Sequence, residues 1–407
     1  MQENSRLNAT ELKNITEYLA THYSRFNVEN KLLFTGHSHQ AWPDVAFEGY
    51  EESFSLSASH VDDKWSHVFD RVEKLRTYLR NFYGDPEGLY CHGPNVHQLL
   101  VSWLSALNLP QTKRIITTDG EFYSLERQFR RLEEEGIEIV RLPAEPNPEL
   151  AGQIEESLKE APASAVILSR VFFGSGLVLQ SLEEISVACN KYEVPLLLDD
   201  YHGTNVMPLN LNSKLLQNIY VLIGGYKYLQ WGEANCFLRF PKECRLRPVI
   251  TGWFAAFNTL EQQQSENVVY TEPNQRFAGA TFDGASCFRA AKVADFFRQQ
   301  QLTPNTLRRL YLSQLHLMEE EFLNKHFDQS TIRLKHALPP ERKGGFLALE
   351  TPHAIRIKNV LRQKHLYADA RGSTLRFGPA PYVTPRQITE AMELLEEVLT
   401  YHLPKNP

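Results

Sequence analysis

The chain has no apolar run approaching the roughly 18 residues that a membrane-crossing helix needs. Its first stretch, residues 1–30, is polar and helix-patterned, without the charged start and apolar core of an export signal. A cytoplasmic protein is therefore expected. The five cysteines, Cys91, Cys189, Cys236, Cys244 and Cys287, include no C-x-x-C pair, so neither a disulfide framework nor a metal site is indicated. A basic excess is also missing: 43 Lys and Arg stand against 49 Asp and Glu, a net charge of −6, and no positive field draws nucleic acid. Internal repeats and low-complexity segments are absent. What remains is a 407-residue chain, 42% hydrophobic, long enough to bury the cores of two domains. Its expected partner is a small molecule.

Between about residues 85 and 240, short apolar runs alternate with helical periodicity. Upstream, Trp65, Val68, Phe69, Val72, Leu75, Leu79 and Phe82 recur at three- and four-residue spacings and stop before Gly84. That pattern predicts an amphipathic helix over residues 60–82. Strand-like runs follow at 113–117, 137–140, 165–168, 195–198 and 220–223, with a helix expected at 124–135. Such runs predict an α/β fold with a mostly parallel sheet covered by helices on both faces, whose ligands sit beyond the carboxyl ends of the strands. From about Pro248 the texture changes. Residues 261–265 are polar, a long helix is expected at 303–326, and a second alternation runs through 345–350, 353–363, 366–368 and 374–377. Pro379, Pro381 and Pro385 then mark a loop before a last helix at 387–400. The expected division is an N-terminal segment, 1–50, joining a small α+β domain; a large domain, 51–250; and a linker helix with the small domain, 251–407.

Two neighbouring strand ends carry the chemistry. Asp199-Asp200-Tyr201-His202 follows the apolar run at 195–198, and Gly224-Gly225-Tyr226-Lys227-Tyr228 follows the next, at 220–223. An acid and a lysine so placed suit pyridoxal phosphate (PLP), which needs an anion for its pyridinium nitrogen and an amine for its aldehyde. A carboxylate about 3 to 4 Å from that nitrogen is worth around 4 kcal/mol at an effective dielectric near 20, or roughly three pKa units. Either Asp199 or Asp200 can take this part, since the register is open by one residue; capping the next segment is the alternative. Lys227 follows two glycines that allow close backbone approach, and its flanking tyrosines would favour a neutral, nucleophilic amine. The alternative is a solvated surface lysine. His202 can stack on or hydrogen-bond around the ring, or be structural. His92 and Gly93, with Pro94 and Asn95, precede a helical run at 96–106 whose open amides can hold a phosphate. Phe122 is placed to stack on the cofactor or to fill core. Arg376 can grip a carboxylate bidentately or be an ordinary strand arginine.

These residues resemble the kynureninases, within the aspartate aminotransferase-like (fold type I, class V aminotransferase) PLP enzymes, over most of the chain. The family's D-x-x-H-x-x-G-N is similar to Asp199-Asp200-Tyr201-His202-Gly203-Thr204-Asn205, which implies Asp199 as the pyridinium partner. S-Y-K-Y-L-N is similar to Gly225-Tyr226-Lys227-Tyr228-Leu229-Gln230, making Lys227 the cofactor-bearing lysine and Tyr226 a phosphate ligand and proton relay. T-V-N-L-H-L-L resembles the stretch from Gly93 to Leu99, and Phe122 falls at the ring-stacking position. The family's G-W and R-F-x-x-G-T resemble Gly252-Trp253 and Arg276-Phe277-Ala278-Gly279-Ala280-Thr281. Trp253 and Thr281 would then reach the phosphate of a neighbouring subunit, implying a homodimer with shared active sites. L-R-x-x-P-x-P-L-Y resembles the stretch from Leu375 to Tyr382, which gives Arg376 the substrate α-carboxylate. G-N-S-L-G-L-Q-P is similar to Gly36-His37-Ser38-His39-Gln40-Ala41-Trp42-Pro43, so that Ser38, with His60, is expected to contact substrate. The implied fold is a large domain built on a seven-stranded sheet plus a small domain formed by the C-terminal part and the N-terminal segment.

The implied activity is hydrolytic Cβ–Cγ cleavage of an amino acid with release of alanine, as in tryptophan catabolism. Departures from the family cluster around the substrate. Gly93 replaces a phosphate-binding threonine, Leu125 stands where an aspartate is usual, and His37, His39, Gln40 and Trp42 replace small or apolar residues. Phe282 and Asp283 also differ. An aminotransferase, β-lyase or epimerase on the same scaffold is the alternative, and a catalytically silent sensor is the third reading. Cysteine desulfurases fit less well, because Tyr226 rather than histidine precedes the lysine.

Overall fold

The computed structural model describes residues 6–259, 267–270 and 272–403. The expected polar stretch at 261–265 lies outside the described residues. Among the described residues thirteen strands are formed: β1 (Leu32–Leu33), β2 (Leu89–Gly93), β3 (Arg114–Thr118), β4 (Glu138–Leu142), β5 (Ala165–Ser169), β6 (Leu196–Asp199), β7 (Tyr220–Ile223), β8 (Cys236–Phe240), β9 (Arg333–Leu334), β10 (Leu347–Glu350), β11 (Leu366–Tyr367), β12 (Asp369–Arg371) and β13 (Thr374–Phe377).

Seven of them make the central sheet, in the order β2-β8-β7-β6-β5-β3-β4. All its strands run parallel except β8, which is antiparallel to both neighbours. The expected α/β fold with a mostly parallel seven-stranded sheet is thus observed. Every residue of β5 and β7 is buried, the signature of a sheet covered on both faces. The two faces feed separate apolar clusters: Val166, Leu168, Leu196 and Leu198 point into one, while Ala165, Ile167, Leu197 and Leu222 point into the other. Leu125 belongs to the second cluster and is buried.

A smaller antiparallel sheet, β12-β13-β10-β9, lies in the C-terminal part. The N-terminal segment reaches this part of the chain through β1, which pairs in parallel with β11 in a separate two-stranded sheet. The junction continues as Gly36 N–H donates to the Gly378 carbonyl at 2.8 Å. Gly36 is required there, because a Cβ would lie 2.2 Å from the Pro379 carbonyl oxygen.

Several boundaries differ from expectation. The helix predicted over 60–82 begins at Lys64, and His60 instead ends a preceding helix, Val45–His60. Val61, at φ +53°, breaks the two apart. The far end behaves as expected, with Gly84 closing the helix in the left-handed region at φ +56°. Residues 366–368 do not form one strand: β11 joins β1, whereas β12 turns into the small sheet. Pro385 is the first residue of the last helix, Pro385–Tyr401, rather than part of the loop before it, a position where its missing N–H costs nothing. Among the described residues no helix is long and apolar enough to cross a membrane, and no cluster could hold a metal ion.

Candidate active site

The carboxyl ends of β6 and β7 lie side by side, and the loops leaving them bring Asp199, Tyr201, His202 and Lys227 together. Strand alternation separates the two aspartates. Asp200 is fully buried and structural: its carboxylate is paired with Arg170 and accepts from the Tyr83 hydroxyl at 2.6 Å. Asp199 is half-buried, and its Oδ1 accepts the Tyr201 N–H at 2.9 Å. Burial pushes the Asp199 carboxyl up, opposed by that N–H and by the charge of Lys227.

Lys227 is only 6% exposed. Burial pulls its amine down to about 7, against the pull of Asp199 and with the help of Arg376 and Arg371. A large neutral fraction is therefore present at neutral pH. Its Nζ lies 2.8 Å from His202 Nε2. Burial, followed by the charge of Lys227, holds His202 well below the usual histidine range, and its Nδ1 is buried without a partner.

Aromatic rings wall the amine. Nζ stands 4.5 Å from the centroid of Tyr201 and 5.5 Å from that of Phe122. The Tyr201 ring rests on Gly224, where a Cβ would meet its Cζ at 1.8 Å. Tyr226 packs against Tyr201 and stacks on His39, with centroids 5.2 and 4.8 Å apart. Behind Phe122, the buried Glu121 carboxylate accepts from Thr118 and Ser169 hydroxyls, both at 2.6 Å. Burial raises it to about 7.

The smaller sheet and the segments beside it supply the remaining side. Arg376 is buried, and its Nη2 pairs with Asp369. His37 and Arg376 both pack on Phe346, at 4.7 Å between ring centroids and 5.5 Å from guanidinium to ring; His202 reaches the same ring at 5.9 Å. A buried polar chain ties this side to the lysine loop. Tyr23 donates to Gln230 and Gln230 to Gln40, each at 2.7 Å, and Gln40 donates to Tyr311 at 3.1 Å.

Other expected residues stand apart from Lys227. Gly93 ends β2, and the helix after it, Val96–Leu104, is capped by Asn95. Burial raises the Cys236 thiol, opposed by the N–H groups of Gly225 and Val96 and by the Tyr201 phenol, which ties the start of that helix to the cluster. His92 is buried against Phe282 and Phe237, ring centroids 4.6 and 5.2 Å away, with Nε2 3.9 Å from Cys287 Sγ. Ser38 is half-buried beside His39, 3.2 Å from its Nδ1. His60 is exposed and packs on His67 at 4.6 Å. Trp253, 41% exposed, and Thr281, also exposed, face outward. Phe346, Asp369, Tyr201 and Glu121 were not singled out from sequence. Only Tyr201, next to the aspartates, carried a signal that could have revealed it.

The fold is that of the class V aminotransferase-like PLP-dependent enzymes. It superposes on a cysteine desulfurase from Thermococcus onnurineus with a TM-score of 0.78 at 15% identity, covering 95% of this chain and 98% of that one. The cystine C–S lyase C-DES, in a complex with its reaction product cysteine persulfide, gives 0.76 at 18% identity, covering 91% and 98%. A profile of the kynureninase C-terminal domain matches residues 310–395. In sequence, the chain is 27% identical over 187 residues to a mitochondrial cysteine desulfurase of Candida albicans, covering 44% of this chain and 37% of the relative. It is 29% identical over 199 residues to the cysteine desulfurase IscS of Rickettsia typhi, covering 46% and 47%. The chain thus spans less than half the length of these curated relatives.

Proposed function

We propose that this chain is a PLP-dependent enzyme that holds its cofactor at Lys227, acts on an amino acid, and cleaves its Cβ–Cγ bond hydrolytically to release alanine. The observation that carries the reading is the buried Lys227 amine, lowered to about 7, beside Asp199 and between the rings of Phe122 and Tyr201. The residues present fit the cofactor. An acid is available for the ring nitrogen, two aromatic faces for the ring, and a buried, unpartnered His202 Nδ1 beside them. The amides at the start of the Val96–Leu104 helix suit a phosphate. Bound PLP would supply the electron sink for charge developing at the substrate Cα.

The chain's own residues do the rest. Lys227, neutral in large part near pH 7, is able to take the Cα proton, and His202 Nε2 at 2.8 Å holds the amine in place. Phe122 and Tyr201 keep water from both sides of the amine. Burial holds the Tyr226 phenol above its ordinary value, so it keeps a proton to donate. The profile match at 310–395, which contains Arg376 and Phe346, supports the kynureninase-like cleavage. The exposure of Trp253 and Thr281 supports a homodimer in which both reach the neighbouring site.

A second reading is a β-lyase acting on a C–S bond, favoured by the cysteine desulfurases among the relatives. A desulfurase using its own thiol fits less well, because all five cysteines are buried. One experiment separates these. Protein reconstituted with PLP should show a visible band that Lys227→Ala lacks, and should release alanine from L-kynurenine. Sulfide from cysteine or cystine, with no alanine from L-kynurenine, would replace the first reading by the second. No band at all would refute both.

A further inference from the structure

The guanidinium expected to grip a substrate carboxylate is already engaged. Arg376 and Asp369 face each other across the β12–β13 ladder. Nη2 donates to the Asp369 carboxylate, Nη1 donates to the Phe173 carbonyl, and Nε is left without a partner. The arginine is only 4% exposed, so this geometry is set by packing and not by solvent. Asp369 is held from other sides too: His37 Nε2 lies 3.7 Å away and Arg371 Nη1 3.8 Å. Burial pushes its carboxyl up, yet His37 and Arg376 outweigh that and keep it well below the usual carboxylate range. It is therefore an anion at neutral pH. The charges of Asp369, Arg376 and Arg371 all act on Lys227, which places the pair at the same site.

A carboxylate binds a guanidinium strongly only through a fork of two parallel N–H groups. Here both forks of the guanidinium, Nη1 with Nη2 and Nε with Nη2, include the nitrogen already given to Asp369, and Nη1 also serves a backbone carbonyl, so a newcomer finds no fork free of a competing acceptor. We propose that Asp369 occupies the seat of a substrate carboxylate at Arg376 and is the specificity-determining residue of the site. It makes the site accept primary amines without an α-carboxylate at least as readily as the matching α-amino acids. Amino acids bind at Arg376 by displacing Asp369. This rests on Lys227 being the cofactor lysine.

The test compares ligand pairs differing only in the carboxylate, such as L-alanine and ethylamine, by the shift each causes in the absorption of the PLP-loaded full chain. The wild type should bind the two with similar affinity. In Asp369→Asn the preference for L-alanine should rise about tenfold or more, the worth of one recovered charge-assisted hydrogen bond, with ethylamine unchanged. A strong wild-type preference for L-alanine, or a variant that loses affinity for it, would show that Asp369 only positions Arg376 and would overturn the proposal. The wild-type comparison stands even where the variant fails to fold. If neither ligand shifts a spectrum because no PLP binds, the reading of Lys227 fails. The seat at Arg376 is then judged on cofactor-free protein: propionate should raise the melting temperature of Asp369→Asn and not of wild type. Equal shifts would overturn the proposal.

Discussion

Replacing Gly224 by alanine should displace Tyr201 and spoil the cofactor pocket without touching any charged group. The backbone of Gly224 is not in the left-handed region, so alanine brings no strain of its own. The added Cβ would fall 1.8 Å from Tyr201 Cζ and 2.0 Å from Cε1. Ordinary carbon contacts need about 3.5 Å, so the ring must move on the order of 1.7 Å, which disturbs its packing on Lys227, whose Nζ is 4.5 Å from its centroid. Overpacking of this kind costs about 1–3 kcal/mol. A melting point lower by a few degrees and PLP binding weakened by about ten- to a hundredfold are expected. Thermal unfolding and fluorescence titration with PLP measure both, and Tyr201→Ala supplies the control. With the ring gone, Gly224→Ala should add nothing, so the double variant should match Tyr201→Ala alone, giving a coupling energy as large as the single effect. Additive losses, or a Gly224→Ala protein with normal stability and PLP affinity, would refute the contact as the cause.

Four further outcomes follow from the same geometry. Asp200→Asn should destabilise the protein by about 3–5 kcal/mol, because Arg170 loses its buried partner. Asp199→Asn should melt near the wild type and lose activity instead, as calorimetry and turnover would show. The turnover rate should rise with pH through about 7 and then level, as Lys227 loses its proton; a rate flat from pH 6 to 8 would contradict a lysine base. Glu121 is raised from 4.5 to about 7. The folded state therefore binds more protons than the unfolded chain between those values, and stability falls as pH rises through that window, by up to about 3 kcal/mol. Glu121→Gln should remove that slope in denaturant titrations from pH 4.5 to 7.

The parts of this molecule legible in sequence are those where one element speaks for itself. Buried parallel strands read as unbroken apolar runs, and β5, β6 and β7 lie within a residue of where those runs place them. Asp199 and Lys227 were visible because strand ends are where such sheets present chemistry. Local pattern could not choose between Asp199 and Asp200, and it takes the Arg170 pairing to bury the second. Helix starts without glycine or proline were also hidden: nothing marks Val61 as a left-handed residue that ends one helix before the next begins. The substrate side was least legible. Asp369 meets Arg376 only through strand register, and Phe346 collects His37 and His202 from segments far away in the chain. No periodicity encodes such a meeting.

The parallel pairing of β1 with β11 has a bearing on the order of assembly. Leu32 waits for Leu366, and Gly36 waits for Gly378, so the chain must be made through Arg376 before His37 can find Asp369 and Arg376. The large sheet, with Lys227 already in its loop, is complete by Phe240. A nascent chain therefore passes through a stage with the lysine pocket built and its substrate side open. Contacts spanning such distances close slowly, and a cofactor meeting the chain in that interval finds a wider entrance than the finished molecule offers.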